Sequence, residues 1–262
     1  MKASEKSGFC DIHCHLLPGI DDGPACLEDS LEMCRLAVAD GIRTIVATPH
    51  FNDVFRPDPE SIARGAAELR QAVAQQELPL EIVLGADVAA GACIEGVVQQ
   101  SDHLTIGGQG KYILFEPPHC AMPGWINDVI FDLRLSGLEV IITHPERNAD
   151  VQRNPNIILP FVQSGVMVQV TAGSIVGEFG REAKRCASVL LKMNAVHFIA
   201  SDAHSPGFRP PLLWQAAHKA SQYIGDRAFA LVSDNPHRAV AGHVVEVPDP
   251  EPAVSWFRKI AI

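Results

Sequence analysis

The chain has 262 residues, 47% of them hydrophobic and 20% charged, with a formal net charge of −10. That length and balance predict a single folded domain over 1–262, flexible in residues 1–8, and exclude a long disordered or low-complexity chain. The acidic excess argues against nonspecific nucleic-acid binding, because affinity for the phosphate backbone comes mainly from Lys and Arg.

No segment reaches the roughly 20 apolar residues that span a bilayer, and Met1–Gly8 carry no apolar signal. The expected location is the cytoplasm, with no direct membrane insertion. Seven cysteines at 10, 14, 26, 34, 93, 120 and 186 form no Cys-x-x-Cys pair, which suits reduced thiols better than a disulfide framework.

In chain order, a first strand ends near His15 and breaks into a Gly/Pro-rich loop running to Pro24. Alternation along a strand puts Asp11, His13 and His15 on one side and Ile12 and Cys14 on the other. Leu27, Leu31, Cys34 and Val38 then recur at helical spacing up to Asp40-Gly41. A second strand, Ile42 to Thr48, runs into Pro49-His50, and Pro57-Asp58-Pro59-Glu60 opens a helix through about Gln76.

Leu80 to Leu84 form a third strand ending in Gly85-Ala86-Asp87, followed by a short helical piece near Ile94–Gln100. Tyr112 to Phe115 form a fourth strand ending at Glu116, and Trp125–Leu135 reads as helix. Strands at Glu139–Thr143, Val166–Val170 and Val196–Ala200 follow, separated by helices near Ile157–Gln163 and 178–193. One or two helices come next, and Asn235-Pro236 caps a last short one. Seven apolar strands alternating with helices predict parallel pairing, closed or nearly closed into a barrel. The chemistry then belongs at the C-terminal ends of the strands, where residues far apart in sequence converge.

Those strand ends supply His13, His15, Asp22, His50, Asp87, Glu116, His144, Asp202 and His204. Nine N and O donors exceed the need of one ion and point to two or three divalent metals. Singly each has a plainer reading: Asp202 as a helix cap, Asp22 as a turn former. Imidazole and carboxylate without thiolate suit Mn²⁺, Fe²⁺ or Zn²⁺. Arg147 and Arg209 lie close to these donors in sequence. Either they hold phosphate oxygens, or Arg147 is a surface residue paired with Glu146. His119 and His197 read as structural. A cysteine-dependent phosphatase needs Arg six residues after its Cys; after Cys14 that residue is Ile20.

The set Asp-Ile-His-Cys-His, Asp-Asp-Gly-Pro, Ala-Thr-Pro-His, Thr-His-Pro-Glu-Arg and Ser-Asp-Ala-His-Ser, in this order, resembles the polymerase-and-histidinol-phosphatase (PHP) superfamily. Within it the chain is most similar to the manganese-dependent tyrosine phosphatases of bacterial capsule and exopolysaccharide loci. The resemblance implies an α/β fold, a distorted (β/α)₇ TIM-like barrel with its metals at the C-terminal strand ends. It implies one ion on His13, His15, Asp87 and Asp202, a second on Asp87, Glu116 and His144, and a third on Asp22, His50 and His204, with Mn²⁺ foremost. Arg147 and Arg209 match the phosphate-contacting arginines. One departure is Asp87, where relatives commonly carry the longer Glu.

The implied activity is hydrolysis of phosphotyrosine by metal-activated hydroxide, on the phosphorylated tail of a tyrosine autokinase that controls polysaccharide synthesis and export. The alternatives are a histidinol-phosphatase-like phosphomonoesterase on the same fold, or a protein that binds the kinase tail without efficient turnover. Nuclease and proofreading roles fit the acidic chain less well, and an amidohydrolase would want a strand-end lysine. A helical surface could support a homo-oligomer.

Overall fold

Short β-branched and aliphatic runs set the frame. In the computed structural model, which describes residues 8–91, 102–246 and 248–253, they form β1 Phe9–Cys14, β2 Ile42–Ala47, β3 His50–Phe51, β4 Glu81–Leu84, β5 Asp87–Ala89, β6 Tyr112–Glu116, β7 Glu139–Thr143, β8 Met167–Thr171 and β9 Phe198–Ala200. The helix expected near Ile94–Gln100 lies outside the described residues.

The strands pair in parallel as two sheets, β1-β2-β4 and β3-β5-β6-β7-β8-β9. Two of the strands expected from sequence, Ile42–Thr48 and Leu80–Leu84, are thus each followed after a break by a further short strand, β3 and β5. Pro49, which has no N–H, interrupts one, and Gly85-Ala86 interrupts the other. Hydrogen bonds carry the pairing past the break: Gly85 N donates to the Ala47 carbonyl at 3.0 Å and Asp87 N to the Pro49 carbonyl at 3.1 Å. At Gly85 an added Cβ would stand 3.1 Å from Val46 Cγ1, so the bend packs closely enough to favour glycine.

The outer edges, β1 and β9, meet only near their C-terminal ends, where Asp202 N donates to the His13 carbonyl and His15 N to the Ala203 carbonyl, each at 2.8 Å. Further back Leu231 and Val232 intervene, accepting from Ile199 N at 2.9 Å and Cys10 N at 2.8 Å. The result is a mixed α/β fold with two parallel sheets rather than one continuously hydrogen-bonded ring.

A second departure lies in β1. The register shifts between Asp11 and Cys14, so strict alternation fails. Ile12 packs with Val46, Tyr112, Leu114 and Phe198, whereas Cys14 packs with side chains of the outer helices, among them Leu31 and Cys34. Asp11 does not join His13 and His15; its carboxylate accepts from the backbone N and hydroxyl of Ser201 at 3.0 and 2.5 Å.

The helices cover the sheets. Leu27–Ala39 and Pro59–Gln75 bury Leu31, Cys34, Ile62, Ala66, Leu69 and Val73, the i, i+4 stripe that their sequences carry. The second starts where expected because the Asp58 carboxylate accepts from Ser61 N at 2.9 Å. Trp125–Leu135, Gly180–Lys192, Trp214–Ile224, Arg227–Ala230 and Asp234–Val240 follow the sequence reading closely, and Leu159–Gln163 is shorter because Pro155–Ile158 winds more tightly. Two five-residue helices, Ala149–Arg153 and Ala172–Val176, are additional.

His197 is structural, as expected: its ring is buried, Nδ1 accepts from Val168 N at 3.0 Å, and its carbonyl accepts from Asn235 Nδ2 at 2.8 Å. Burial, helped by the Arg227 charge, pushes its pKa down to about 3. An unfolded histidine takes a proton near pH 6.5, so below that pH the unfolded state binds more protons and the fold loses stability as pH falls. For the metal-free protein this residue should cost about 2.5 kcal/mol between pH 7 and pH 4.5. Urea unfolding at both pH values should show a smaller loss in His197→Asn, whose amide oxygen keeps an acceptor for Val168 N.

Candidate metal centre

His13 and His15 leave the end of β1 with their Nε2 atoms 3.3 Å apart. Each Nδ1 has an acceptor behind it: Gln169 Oε1 at 3.0 Å for His13 and Asp21 Oδ2 at 2.6 Å for His15. The Nδ1 of His204 likewise faces the Asp202 carbonyl at 3.0 Å. An imidazole that donates from Nδ1 presents the Nε2 lone pair forward, which is the tautomer a metal requires.

The carboxylates converge on these rings. Asp202 Oδ1 lies 3.4 Å from His13 Nε2, 3.6 Å from His15 Nε2 and 3.7 Å from His204 Nδ1. Asp87 Oδ2 sits between His13 Nε2 at 3.6 Å and His50 Nδ1 at 3.4 Å. Pairing of β3 with β5 sets His50 directly beside Asp87, so the shorter carboxylate still reaches both imidazoles. Glu116, at the end of β6, is 3.7 Å from His50 Nδ1 and 3.5 Å from His144 Nε2. Asp22 Oδ1 reaches His50 Nε2 at 3.6 Å and His204 Nε2 at 3.5 Å.

Donors held about 2.1 Å from one ion at tetrahedral angles stand about 3.4 Å from each other. These separations match that spacing and are too long for hydrogen bonds. Two buried atoms, His50 Nδ1 and Asp87 Oδ2, have no hydrogen-bond partner at all, a costly state that a cation between them would relieve. The donor set therefore fits divalent metal. Four groups of donors within 4.8 Å of one another are present among the described residues: His15, Asp22, His50 and His204; His13, His15 and Asp87; His50, Asp87 and Glu116; Glu116, His119 and His144. His50 stands in two of these groups, with Asp22 and with Asp87 and Glu116.

All nine expected donors come together. Sequence reasoning reads His119 as structural, yet its Nε2 is 3.5 Å from Glu116 Oε1 and its ring stacks on His144 at 5.2 Å. It follows Glu116 by three residues, the one signal that could have singled it out. Sequence reasoning missed Asp21. The Asp-Asp-Gly-Pro turn divides the labour: Asp21 accepts from Gly23 N and His50 N, each at 2.9 Å, and orients His15, while Asp22 faces outward to the other histidines. A Cβ at position 23 would meet the His15 carbonyl at 2.8 Å, so only glycine fits there. Asp21→Ala should weaken metal binding by about 10–100-fold in a metal titration, because His15 loses the group that orients it.

Two donors sit on left-handed backbone, His144 at φ 34° and Asp202 at φ 52°. Such strain at non-glycine residues is held only where surrounding contacts enforce it. Burial opposes its charge, yet His13, His15, His144 and Arg209 hold the Asp202 carboxyl well below the usual range. Burial and the His15 charge push His204 down to about 3, and burial with Arg147 lowers His144. Burial works against a proton on His15, but Asp202 and Asp21 outweigh it and drive its pKa up to about 10, and against the same burial Asp87 raises His50. An ionised Asp202 and neutral His144 and His204 are in the protonation state of metal ligands.

Arg147 does not pair with Glu146. Glu146 is buried, accepting from Thr171 N at 3.0 Å and the Ser174 hydroxyl at 2.6 Å. Instead Arg147 Nη1 and Arg209 Nη2 donate to Asp202 Oδ2 at 2.5 and 2.6 Å. Asp202 thus turns one oxygen to imidazoles and the other to guanidiniums. Cys14 is fully buried, and burial raises its thiol well above the usual range, so it is no nucleophile.

Residues 9–241 match the model of the capsular polysaccharide synthesis family CpsB/CapC. The chain belongs to this family. It is 33% identical to tyrosine-protein phosphatase YwqE of Bacillus subtilis over 92% of this chain and 95% of that protein. With tyrosine-protein phosphatase CpsB of Streptococcus pneumoniae it shares 26% identity over 90% of this chain and 99% of the relative. A solved structure from the work on YwqE and CpsB, described as unique metal-dependent tyrosine phosphatases, superposes with a TM-score of 0.86 at 33% identity over 94% of this chain and 99% of that one. The β-aspartyl dipeptidase of Fervidobacterium islandicum, at 14% identity and a TM-score of 0.54, shares the fold alone, covering 94% of this chain and 77% of that one. As a CpsB/CapC member, this chain carries its clustered donors on a scaffold common to the family.

Proposed function

We infer that this chain is a metal-dependent protein tyrosine phosphatase. The observation that carries the reading is the Asp202 carboxylate, flanked by imidazoles on one oxygen and by Arg147 and Arg209 on the other. A phosphoryl group bound here would have cations on one side and two guanidinium forks on the other. His13, His15, Asp22, His50, Asp87, Glu116, His144, Asp202 and His204 are the proposed ligands, with Mn²⁺ the proposed metal and Fe²⁺ or Zn²⁺ its competitors. When bound, such ions supply a water acidified to a pKa near 7 and charge to offset the phosphoryl oxygens.

The protein's own part is to hold the phosphoryl group. Planar guanidiniums match phosphate oxygens bidentately, and their anchorage on Asp202 keeps them beside the metal ligands. An aryl ester needs little help from a general acid, since its phenol has a pKa of about 10.

The rim favours an aryl group on a flexible chain over a small alkyl phosphate. Phe208, 89% exposed, precedes Arg209, and Val54, 81% exposed, lies in the loop after His50, while Phe55 stacks on the His50 ring at 6.1 Å. The proposed substrate is the phosphotyrosine tail of a membrane-anchored tyrosine autokinase governing capsule or exopolysaccharide synthesis and export, and the proposed location of this chain is the cytoplasm; no helix among its described residues is long and apolar enough to cross a membrane. The two sheets, joined through residues 13–15 and 202–203, are proposed to be a distorted (β/α)₇ barrel. Comparing kcat/KM on a phosphotyrosine peptide and on histidinol phosphate tests the reading. At least a tenfold preference for the peptide is expected, and the reverse would favour the small-molecule phosphatase.

A further inference from the structure

Three successive strand ends contribute to one small assembly. Arg147 follows β7, Phe179 follows β8 just before the helix Gly180–Lys192, and Arg209 follows β9. The Cζ atoms of Arg147 and Arg209 lie 4.6 and 5.4 Å from the centroid of the Phe179 ring. Both guanidiniums also donate to the same oxygen, Asp202 Oδ2. Two like charges are thereby brought to one point, an arrangement that needs attraction from more than one side. Asp202 provides it at the edges, and the negative face of the ring provides it from below.

The ring itself is fixed. A Cβ added at Gly173 would meet Glu178 Oε2 at 2.7 Å and Phe179 Cε2 and Cδ2 at 2.8 and 3.2 Å, so the ring, with the neighbouring carboxylate, rests on the backbone of the five-residue helix Ala172–Val176. Nothing in the sequence marks Phe179, because its role depends on two arginines 32 residues before it and 30 residues after it.

We propose that Phe179 is a positioning residue for phosphoryl recognition, its ring holding Arg147 and Arg209 side by side so that they act as one cradle for a phosphate dianion. The proposal rests on the phosphatase reading, in which those arginines hold phosphate. It singles out a side chain that carries neither a charge nor a metal-ligating atom, so its removal takes away neither.

The test compares the Mn²⁺-loaded parent with Phe179→Leu, Phe179→Tyr and Gly173→Ala. Four quantities are read: KM and kcat on a phosphotyrosine peptide, the dissociation constant of inorganic phosphate by calorimetry, and bound metal. Phe179→Leu should raise KM and the phosphate dissociation constant about 10-fold each, with kcat within about threefold and metal content unchanged. Phe179→Tyr, which keeps the ring, should restore both constants to within about twofold. Gly173→Ala, which displaces the ring together with the Glu178 carboxylate, should shift both constants in the direction of Phe179→Leu. An active parent whose Phe179→Leu variant keeps both constants overturns the proposal alone. Loss of metal in Phe179→Leu, with Phe179→Tyr equally impaired, assigns the ring to packing and overturns it too. A parent that neither hydrolyses the peptide nor binds phosphate overturns the phosphatase reading itself.

Discussion

Asp202→Asn is expected to lower kcat/KM on a phosphotyrosine peptide by about 10³-fold or more, with loss of bound metal. One carboxylate serves two sets of partners: Oδ1 faces His13, His15 and His204, and Oδ2 takes both arginines. An amide has one oxygen, so whichever way it turns, its NH₂ group faces either imidazole lone pairs or a guanidinium. Asparagine is the right replacement because it tolerates the left-handed backbone at φ 52°, so the loop should keep its shape. Removing the charge leaves the guanidiniums without their anchor and the imidazoles without a counter-charge. Metal analysis of the purified variant, set beside its kinetics, checks the expectation. Retention of metal and of activity within tenfold would contradict the place assigned to Asp202.

The second large effect belongs to the arginines. Arg147→Ala and Arg209→Ala should each lower kcat/KM by about 10²-fold while leaving metal content intact, and the double variant should fall short of the product of the two. They share one carboxylate oxygen and one ring face, so loss of either already disorders the other. Arg→Lys should rescue poorly at both positions, because a point charge on a flexible stem neither forks onto phosphate nor lies flat on Phe179. Kinetics of the single, double and lysine variants, with thermal unfolding to show that each is folded, give the comparison. Full additivity would mean that the two arginines act separately.

Much of this was legible in the sequence because the chemistry sits at strand ends and apolar runs mark those ends. His144, Asp202 and Glu116 each follow such a run, and the helix Trp125–Leu135 and the strand Glu139–Thr143 begin and end where the pattern places them. What escaped depends on contacts between distant elements. The breaks at Pro49 and at Gly85-Ala86 are visible as residues, but two sheets need a second gap, the one between β1 and β9 where Leu231 and Val232 lie, and no local pattern marks it.

Asp11 shows the limit of alternation. A one-residue register shift follows it, and its carboxylate turns to Ser201 rather than to the site; no local signal announces a bulge. Asp21 and Asp22 are adjacent carboxylates in one turn, and only the fold decides which one orients His15 and which faces His50 and His204. His119 carries no periodic pattern, and its meaning comes from Glu116 and His144 beside it. Asp87 looked too short for its place. Its pairing with His50 across β3 and β5 answers that, since the backbone itself carries the carboxylate between two imidazoles.

The most direct measurement is hydrolysis of a phosphotyrosine peptide by metal-stripped protein before and after adding Mn²⁺, Fe²⁺ or Zn²⁺, with Cys14→Ser and His144→Ala alongside. The stripped protein should be inactive and Mn²⁺ should restore turnover. Cys14→Ser should match the parent, and His144→Ala should stay inactive. Activity that survives metal removal, or that disappears in Cys14→Ser while metal content is unchanged, would contradict a metal-dependent phosphatase.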